Sequence, residues 1–357
     1  MAKLTGALVS EGLRREKLER HRGDIEYIRF RDGFRGIERG TVVTRKRVIH
    51  GFPHIKRIFT LENGLARNIR APWLYAEEKI DGFNIRIASI GGAVCAFSRG
   101  GFLDAFVTEK AREAGLEGFF REHPEKVLCA EMIGNTPYTP PEDDFDVRLF
   151  VFDIDRGDGT YLPCQERYSL LKEHGIQGVP VLGRFASGDI RGLGSLILSL
   201  NRGKREGMVL KSEDRSEAVK YVTPWSDIED ISRSSRLLFD MPIGFYYQRV
   251  LRSAFFISDF GLGREEYAMK LGKAFYEGLE KAIKGAKEGK ETDEEFEILI
   301  KNPAVWEDIR HHMSREVRLE EISRTKENGR IRIRFRKIFK RTSKTLISYA
   351  GGRGICD

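Results

Sequence analysis

The sequence predicts an α+β protein: a central domain on a mixed or antiparallel sheet, preceded by a small β-rich module and followed by a mainly helical region. Three observations carry that expectation. Short β-like runs broken by glycines fill the first 65 residues; strands dominate from Trp73 to Val222 without regular βαβ alternation; and the texture turns helical after Pro224. The segments are therefore drawn at 1–65, 66–224 and 225–357. For a chain of 357 residues, at about 150 residues per domain, two or three domains are expected.

In the first segment, residues 25–30, 41–44 and 47–49 read as strands, with Gly23, Gly33, Gly36 and Gly40 supplying the turns. In the second, the helical stretches are 108–120 and 167–175. In the third, Tyr267, Leu271, Phe275, Leu279 and Ile283 recur every fourth residue and mark one face of a helix ending near Gly285 or Gly289. Thr292, followed by Asp293, Glu294 and Glu295, reads as the N-cap and acidic first turn of another helix. Residues 330–336 alternate strictly, which places Ile331, Ile333 and Phe335 on one strand face and arginines on the other.

Composition narrows the function classes. A 40% hydrophobic share sustains real cores, and no apolar run approaches the roughly 18 residues of a membrane span. Residues 1–15 lack the basic and apolar regions of a signal peptide. Cys95, Cys129, Cys164 and Cys356 show no zinc-ligand or redox spacing, which suits reduced thiols in a cytoplasmic protein. The 62 basic and 54 acidic residues leave a net charge of +8. That density suits either ion-pair networks or a polyanionic partner such as nucleic acid.

The chemistry concentrates in six segments. Tyr75-Ala76-Glu77-Glu78-Lys79-Ile80-Asp81-Gly82-Phe83-Asn84 sets a lysine at a strand end before an Asp-Gly turn. Lys-x-Asp-Gly alone is common in surface hairpins. Here it is followed by Ser98-Arg99-Gly100-Gly101, by Leu128-Cys129-Ala130-Glu131-Met132-Ile133-Gly134, and by Leu149-Phe150-Val151-Phe152-Asp153-Ile154. Glu206-Gly207-Met208-Val209-Leu210-Lys211 and Ala218-Val219-Lys220-Tyr221-Val222 complete the order. Together these resemble the collinear motifs of the covalent nucleotidyltransferase superfamily, the polynucleotide ligases and mRNA capping enzymes. The flanking sequence is similar to archaeal ATP-dependent RNA ligases, which add an N-terminal module and a helical C-terminal dimerisation region.

The resemblance implies a reaction and a role for each residue. Lys79 would take AMP from ATP with Mg²⁺ or Mn²⁺, pass it to an RNA 5′-phosphate, and allow a 3′-hydroxyl to displace it. Glu206 would hold the metal, Glu131 the ribose hydroxyls, Arg99 the ribose and phosphates, and Phe152 would stack on adenine. One carboxylate of the Glu77–Glu78 pair, with Glu77 taken as the site residue, would meet the adenine amino group. Asp81 would shape the turn. Plainer readings stand beside these: Glu131 on an edge strand, Phe152 in ordinary core packing, Arg99 in a surface turn.

Many ligases end the series with Lys-x-Lys, whereas Lys220 has Ala218 and Val222 at those spacings, so the α-phosphate contact lies open between Lys211 and Lys220. Residue chemistry adds an independent requirement. Lysine attacks phosphorus only as the neutral amine, and its ordinary pKa is about 10.4. Arg99, Lys211, Lys220 and a metal ion around Lys79 would lower it and neutralise the triphosphate.

Between Lys326 and Lys344, nine basic residues face one glutamate, so Arg332, Arg334 and Arg336 are expected to meet RNA phosphates. The alternative is a solvated face paired to acids such as Asp293 to Glu297. The acidic run 142–146 reads as an exposed loop without a function. Rival assignments are a DNA ligase or capping guanylyltransferase, or a non-catalytic nucleic-acid-binding protein on the same fold. The first two normally carry a C-terminal Arg-x-Asp-Lys, which is absent here. Homodimerisation follows from the resemblance alone, since helix 267–283 packs equally well against its own chain.

Overall fold

The computed structural model describes residues 5–23, 25–139, 145–314 and 317–354. The N-terminal segment holds helix α1 (Gly6–Arg14) and an antiparallel sheet of β1 (Leu18–His21), β2 (Tyr27–Phe30), β3 (Val42–Thr44) and β4 (Val48–Ile49), paired in chain order. The three expected runs are β2, β3 and β4. Strand β1 gave no signal because Leu18 is its only apolar residue. The buried Arg86 docks this sheet on the rest of the chain, donating to the carbonyls of His50 (2.6 Å), Gly40 (2.8 Å) and Ser98 (3.0 Å).

The central segment runs β5 (Lys56–Arg57), α2 (Leu61–Asn68), β6 (Trp73–Lys79), β7 (Phe83–Ile90), β8 (Ala93–Ser98), α3 (Ala105–Glu113) and α4 (Glu117–Glu122). It continues through β9 (Val127–Gly134), β10 (Val147–Asp155), α5 (Cys164–Glu173), β11 (Val181–Ala186), α6 (Ile190–Arg202), β12 (Gly207–Ser212) and β13 (Ala218–Val222). The single helix expected over 108–120 is two, α3 and α4, because the chain turns at Gly115 with φ +71°.

Two sheets result. One, ordered β10-β9-β7-β8, is antiparallel; the other, β11-β6-β12-β13-β5, is antiparallel except for the parallel β13–β5 pair. Strand alternation divides their faces. In the second sheet Leu74, Ala76, Met208, Leu210, Val219 and Tyr221 enter a core with Leu61 and Leu65 of α2 and Leu193 and Ile197 of α6. Tyr75, Glu77, Lys79, Val209, Lys211 and Lys220 are therefore left to the opposite face. In the first sheet Ile85, Ala130 and Met132 pack with Phe106 and Phe119, which leaves Asn84 and Glu131 facing away from that core.

The C-terminal segment contains α7 (Pro224–Ser234), α8 (Gly244–Asp259), α9 (Arg264–Lys287), β14 (Asp293–Ile300), α10 (Ala304–Met313), β15 (Val317–Glu327), β16 (Arg330–Phe339) and α11 (Lys340–Ala350). Helix α9 contains the periodic stretch, with Ala274, Ala282 and Ala286 its buried residues. The helix expected after Thr292 is instead strand β14, in the sheet β14-β16-β15. Phe296, Ile298 and Ile300 alternate with polar or less buried residues and pack with Ile333, Phe335 and Trp306, and that period of two overrides the capping signature. The C-terminal segment is thus α+β, and its sheet shares a core with β7, β9 and α3.

Among the described residues no helix is long and apolar enough to cross a membrane, and Cys95, Cys129 and Cys164 are buried free thiols. Cys356 and residues 142–144 of the acidic run lie outside the described residues.

Candidate active site

Lys79 is the last residue of β6, opposite Gly207 of β12, and its amine lies 2.6 Å from the Glu206 carboxylate. The backbone makes room for this pairing. A Cβ on Gly207, whose φ is +151°, would fall 2.2 Å from the Tyr221 carbonyl oxygen; one on Gly82 would fall 2.4 Å from that of Met132. The Asp81-Gly82 turn can therefore lie flat against β9. There Glu131 stands in register with Asn84 of β7, on a central strand and not at an edge.

Phe152 emerges at a bulge between Val151 and Asp153 of β10, and its ring meets Phe52 edge-on at 5.0 Å. Lys220 stands beside Val209 in the β12–β13 register. Arg99 follows β8, with its Nη2 3.0 Å from His54 Nδ1. One pocket collects Lys79, Arg99, Glu131, Phe152 and Lys220, walled by Phe52 and Val209.

The electrostatics set acids closest to the amine. Burial by itself would lower the Lys79 pKa, but the carboxylates of Glu206, Glu131 and Asp81 outweigh it and hold the ammonium above its ordinary value. Arg99, Lys211 and Lys220, expected together with a metal ion to lower the amine, stand farther off than these acids, which form its immediate shell. Those acids are themselves perturbed. Burial pushes Glu206 and Glu131 up to about 7 each, against the opposing pull of Lys79. Lys220 is brought down to about 8 by burial and by Arg57, Lys79 and Arg99.

Glu206, Glu131 and Asp81 all act on the Lys79 ammonium, and the buried Asn84 Oδ1 is unpartnered beside Glu131. These are oxygen donors of the kind a hard divalent cation such as Mg²⁺ or Mn²⁺ takes, though the three carboxylates do not converge on one point and phosphate oxygens would have to complete the ligands. The aromatic wall and the basic groups opposite suit a nucleotide with its phosphates.

Two expected site residues lie elsewhere. Glu77 and Lys211 are buried beneath the pocket in a closed charge cluster. Glu77 accepts from Tyr168 Oη (2.6 Å) and Arg167 and pairs with Lys211 (2.8 Å). Asp153 pairs with Arg215 (2.7 Å), Arg167 (3.0 Å) and Lys211 (3.1 Å). Lys211 Nζ also donates to the Phe152 carbonyl at 2.6 Å, so it sits behind the strand that carries Phe152 and does not line the pocket. Lys220, not Lys211, faces the pocket, and so does Glu78, not Glu77; Glu78 is gripped through both oxygens by Arg205.

The arginines of β16 face flanking acids. Arg332 pairs with Glu297 and Glu327 (2.7 Å), Arg334 with Glu295 (3.1 Å), and Arg336 with Glu320 (2.9 Å) and Asp293 (3.3 Å). Their charge is neutralised within the sheet. Sequence reasoning missed Phe52, Asn84 and Asp153 with its arginines; a carboxylate inside the apolar run 149–154 was the available signal.

Comparison with known proteins gives a consistent picture. Residues 73–222 match a family model described as RNA ligase, and residues 234–353 match one described as the ligase Pab1020 C-terminal region. A solved structure titled a putative ATP-dependent DNA ligase from Aquifex aeolicus is 31% identical, covers 99% of this chain and 100% of its own, and superposes with a TM-score of 0.92. Two forms of an archaeal ATP-dependent RNA ligase are 26% and 27% identical with TM-scores of 0.90, covering 99% and 98% of this chain and 97% and 96% of theirs. An uncharacterized protein of Methanocaldococcus jannaschii is 29% identical over 350 residues, which is 92% of this chain and 88% of that one.

Proposed function

The chain belongs to the archaeal ATP-dependent RNA ligase family, and from that premise we propose that Lys79 carries AMP as a covalent intermediate in sealing an RNA 5′-phosphate to a 3′-hydroxyl. The observation that carries this reading is the Lys79–Glu206 pair, whose lysine lines one pocket with Glu131, Arg99, Lys220 and Phe152.

Lys79 Nζ bonds to the α-phosphorus and pyrophosphate leaves; a 5′-phosphate oxygen then displaces Lys79; finally a 3′-hydroxyl displaces AMP. Phe152 provides the adenine wall, and Glu131 faces the ribose. Lys220 and Arg99 neutralise phosphate charge where it develops. Glu206, with Glu131 and Asp81 near, would hold a divalent cation, which when bound supplies further charge at the α-phosphate.

The archaeal relative titled an RNA ligase, solved in two forms, supports RNA as substrate, and the Aquifex relative's title makes DNA ends the necessary comparison. Exposed Ile243, Tyr247, Met269 and Tyr276 on and beside α8 and α9 support a homodimer through that surface. The three buried free thiols support a cytoplasmic setting.

The test separates the steps. Lys79→Ala should abolish labelling by α-labelled ATP and ATP-driven joining, yet still seal a chemically pre-adenylylated RNA, because no bond to Lys79 forms in that step. Labelled variant protein would place the nucleophile elsewhere. Wild-type protein that seals neither pre-adenylylated RNA nor DNA would overturn the assignment.

A further inference from the structure

The triphosphate of ATP brings more negative charge than the α-phosphate contacts answer, and pyrophosphate carries most of it away. The last of the six segments offers one lysine where Lys-x-Lys would offer two, and no Arg-x-Asp-Lys follows. The fold places another cation at that spot. Strand β5 pairs in parallel with β13 so that Arg57 stands directly beside Lys220, and residues in register send their side chains to the same face. Arg57 is therefore on the pocket side, and among the charges around Lys220 it has the largest influence.

Arg57 is also without an anion. Its Nη1 is buried and has no hydrogen-bond partner, and among the described residues it makes no ion pair. Neighbouring arginines differ in this respect. From α8, Arg249 is held by Asp230 of α7 at 2.6 Å, and Arg252 is held by Asp227. Burial, then Arg252, bring Arg57 down to about 10, against the opposing pull of Asp227 and Glu206. A half-buried guanidinium with one nitrogen sealed from solvent and no ion pair is costly unless something supplies the missing charge. A diphosphate does so well, because the planar fork of donors matches phosphate oxygens.

We propose that Arg57 binds the β- and γ-phosphates of ATP and orients pyrophosphate as the leaving group. The proposal rests on the lysyl-AMP reading above. As the Lys79 Nζ–phosphorus bond forms, the bond from phosphorus to the bridging oxygen breaks. Its electron pair departs on pyrophosphate; Lys79, an ammonium at rest, gives one proton to water before it attacks and a second as the bond to phosphorus forms. Arg57 meets the charge that appears on the leaving oxygens. Asp230 and Asp227 of α7 are taken up by Arg249 and Arg252 and so are not free to pair with Arg57, and in this way the C-terminal segment takes part in the site without lending it a ligand.

The experiment uses the full chain as wild type, Arg57→Lys and Arg57→Ala, with labelled ATP, added pyrophosphate and a pre-adenylylated RNA. Arg57→Ala should slow self-adenylylation on the order of a hundredfold. It should raise the pyrophosphate concentration needed to discharge AMP from the loaded enzyme, and Arg57→Lys should fall between. Sealing of pre-adenylylated RNA should be unchanged, since pyrophosphate has no part in it, and this doubles as the control for folding. Wild-type labelling and discharge in Arg57→Ala would overturn the proposal. So would an equal loss of pre-adenylylated sealing in both variants, which would show that Arg57 acts through the fold. A wild-type protein that ATP does not label would instead overturn the reading beneath it.

Discussion

Replacing Asp153 by Asn probes the charge cluster beneath the pocket. The side chain is fully buried among Arg215, Arg167 and Lys211. Burial would raise its pKa, but Arg215 and Lys211 reverse that and hold it far below the usual carboxylate range. Asn keeps the volume and removes the charge, so three cations then face Glu77 alone. Breaking a buried pair costs about 3–5 kcal/mol. The lower end is expected here because Lys211 can yield. Its pKa is already lowered by burial and Arg167, and with Asp153 neutral it gives up its proton more readily.

A loss of ~3 kcal/mol lowers the melting temperature by roughly 6–12 °C if the unit that melts has about 150–250 residues. The unfolded chain keeps the Lys211 proton up to about pH 10, while the folded variant releases it earlier. Across that interval the unfolded state binds more protons, so the variant's stability rises with pH and its deficit narrows. Thermal unfolding followed by circular dichroism at neutral and mildly alkaline pH measures both effects. A melting temperature within about 2 °C of wild type, or a deficit indifferent to pH, would refute the cluster's proposed weight.

Glu206→Ala and Glu131→Ala should each slow self-adenylylation on the order of a hundredfold, and wild-type labelling with unchanged ATP dependence would remove the residue from its role. The triple change of Arg332, Arg334 and Arg336 to Gln should leave the salt dependence of RNA affinity unaltered, because acids on the flanking strands already hold these groups. A slope flattened by roughly 0.7 per residue would return the strand to the RNA surface. Tyr247→Asp combined with Met269→Glu should convert a dimer to a monomer in light scattering at unchanged self-adenylylation; a dimer that persists would move the interface elsewhere.

The candidate site is legible because its residue types follow one another in a fixed order along the chain: Lys79, Arg99, Glu131, Phe152, Glu206 and Lys220 share one pocket or its rim. Depth was not readable. Alternation correctly groups Glu77 with Lys79 and Lys211 with Val209, but only packing of the two sheets decides which end of a face is mouth and which is floor. Arg167 from α5 and Arg215 from the turn after β12 close over Glu77 and Asp153, and neither has a local signature. Strand β14 was misread because acids after threonine mimic a helix start. The alternation of Glu295, Phe296, Glu297 and Ile298 is the stronger signal, because burial of every second residue against β16 decides the element.

The place of β5 has a practical side for anyone who trims or recombines such enzymes. The matched ligase segment begins at residue 73, but Ile58, Leu61 and Leu65 fill the underside of the sheet that carries Lys79, and β5 covers the outer edge of β13. A fragment started at residue 73 would open that edge to pairing with other chains and leave a hollow under the strand that carries Lys79. The smallest portable unit starts before Lys56, and a graft that exchanges the N-terminal module is best joined between β4 and β5.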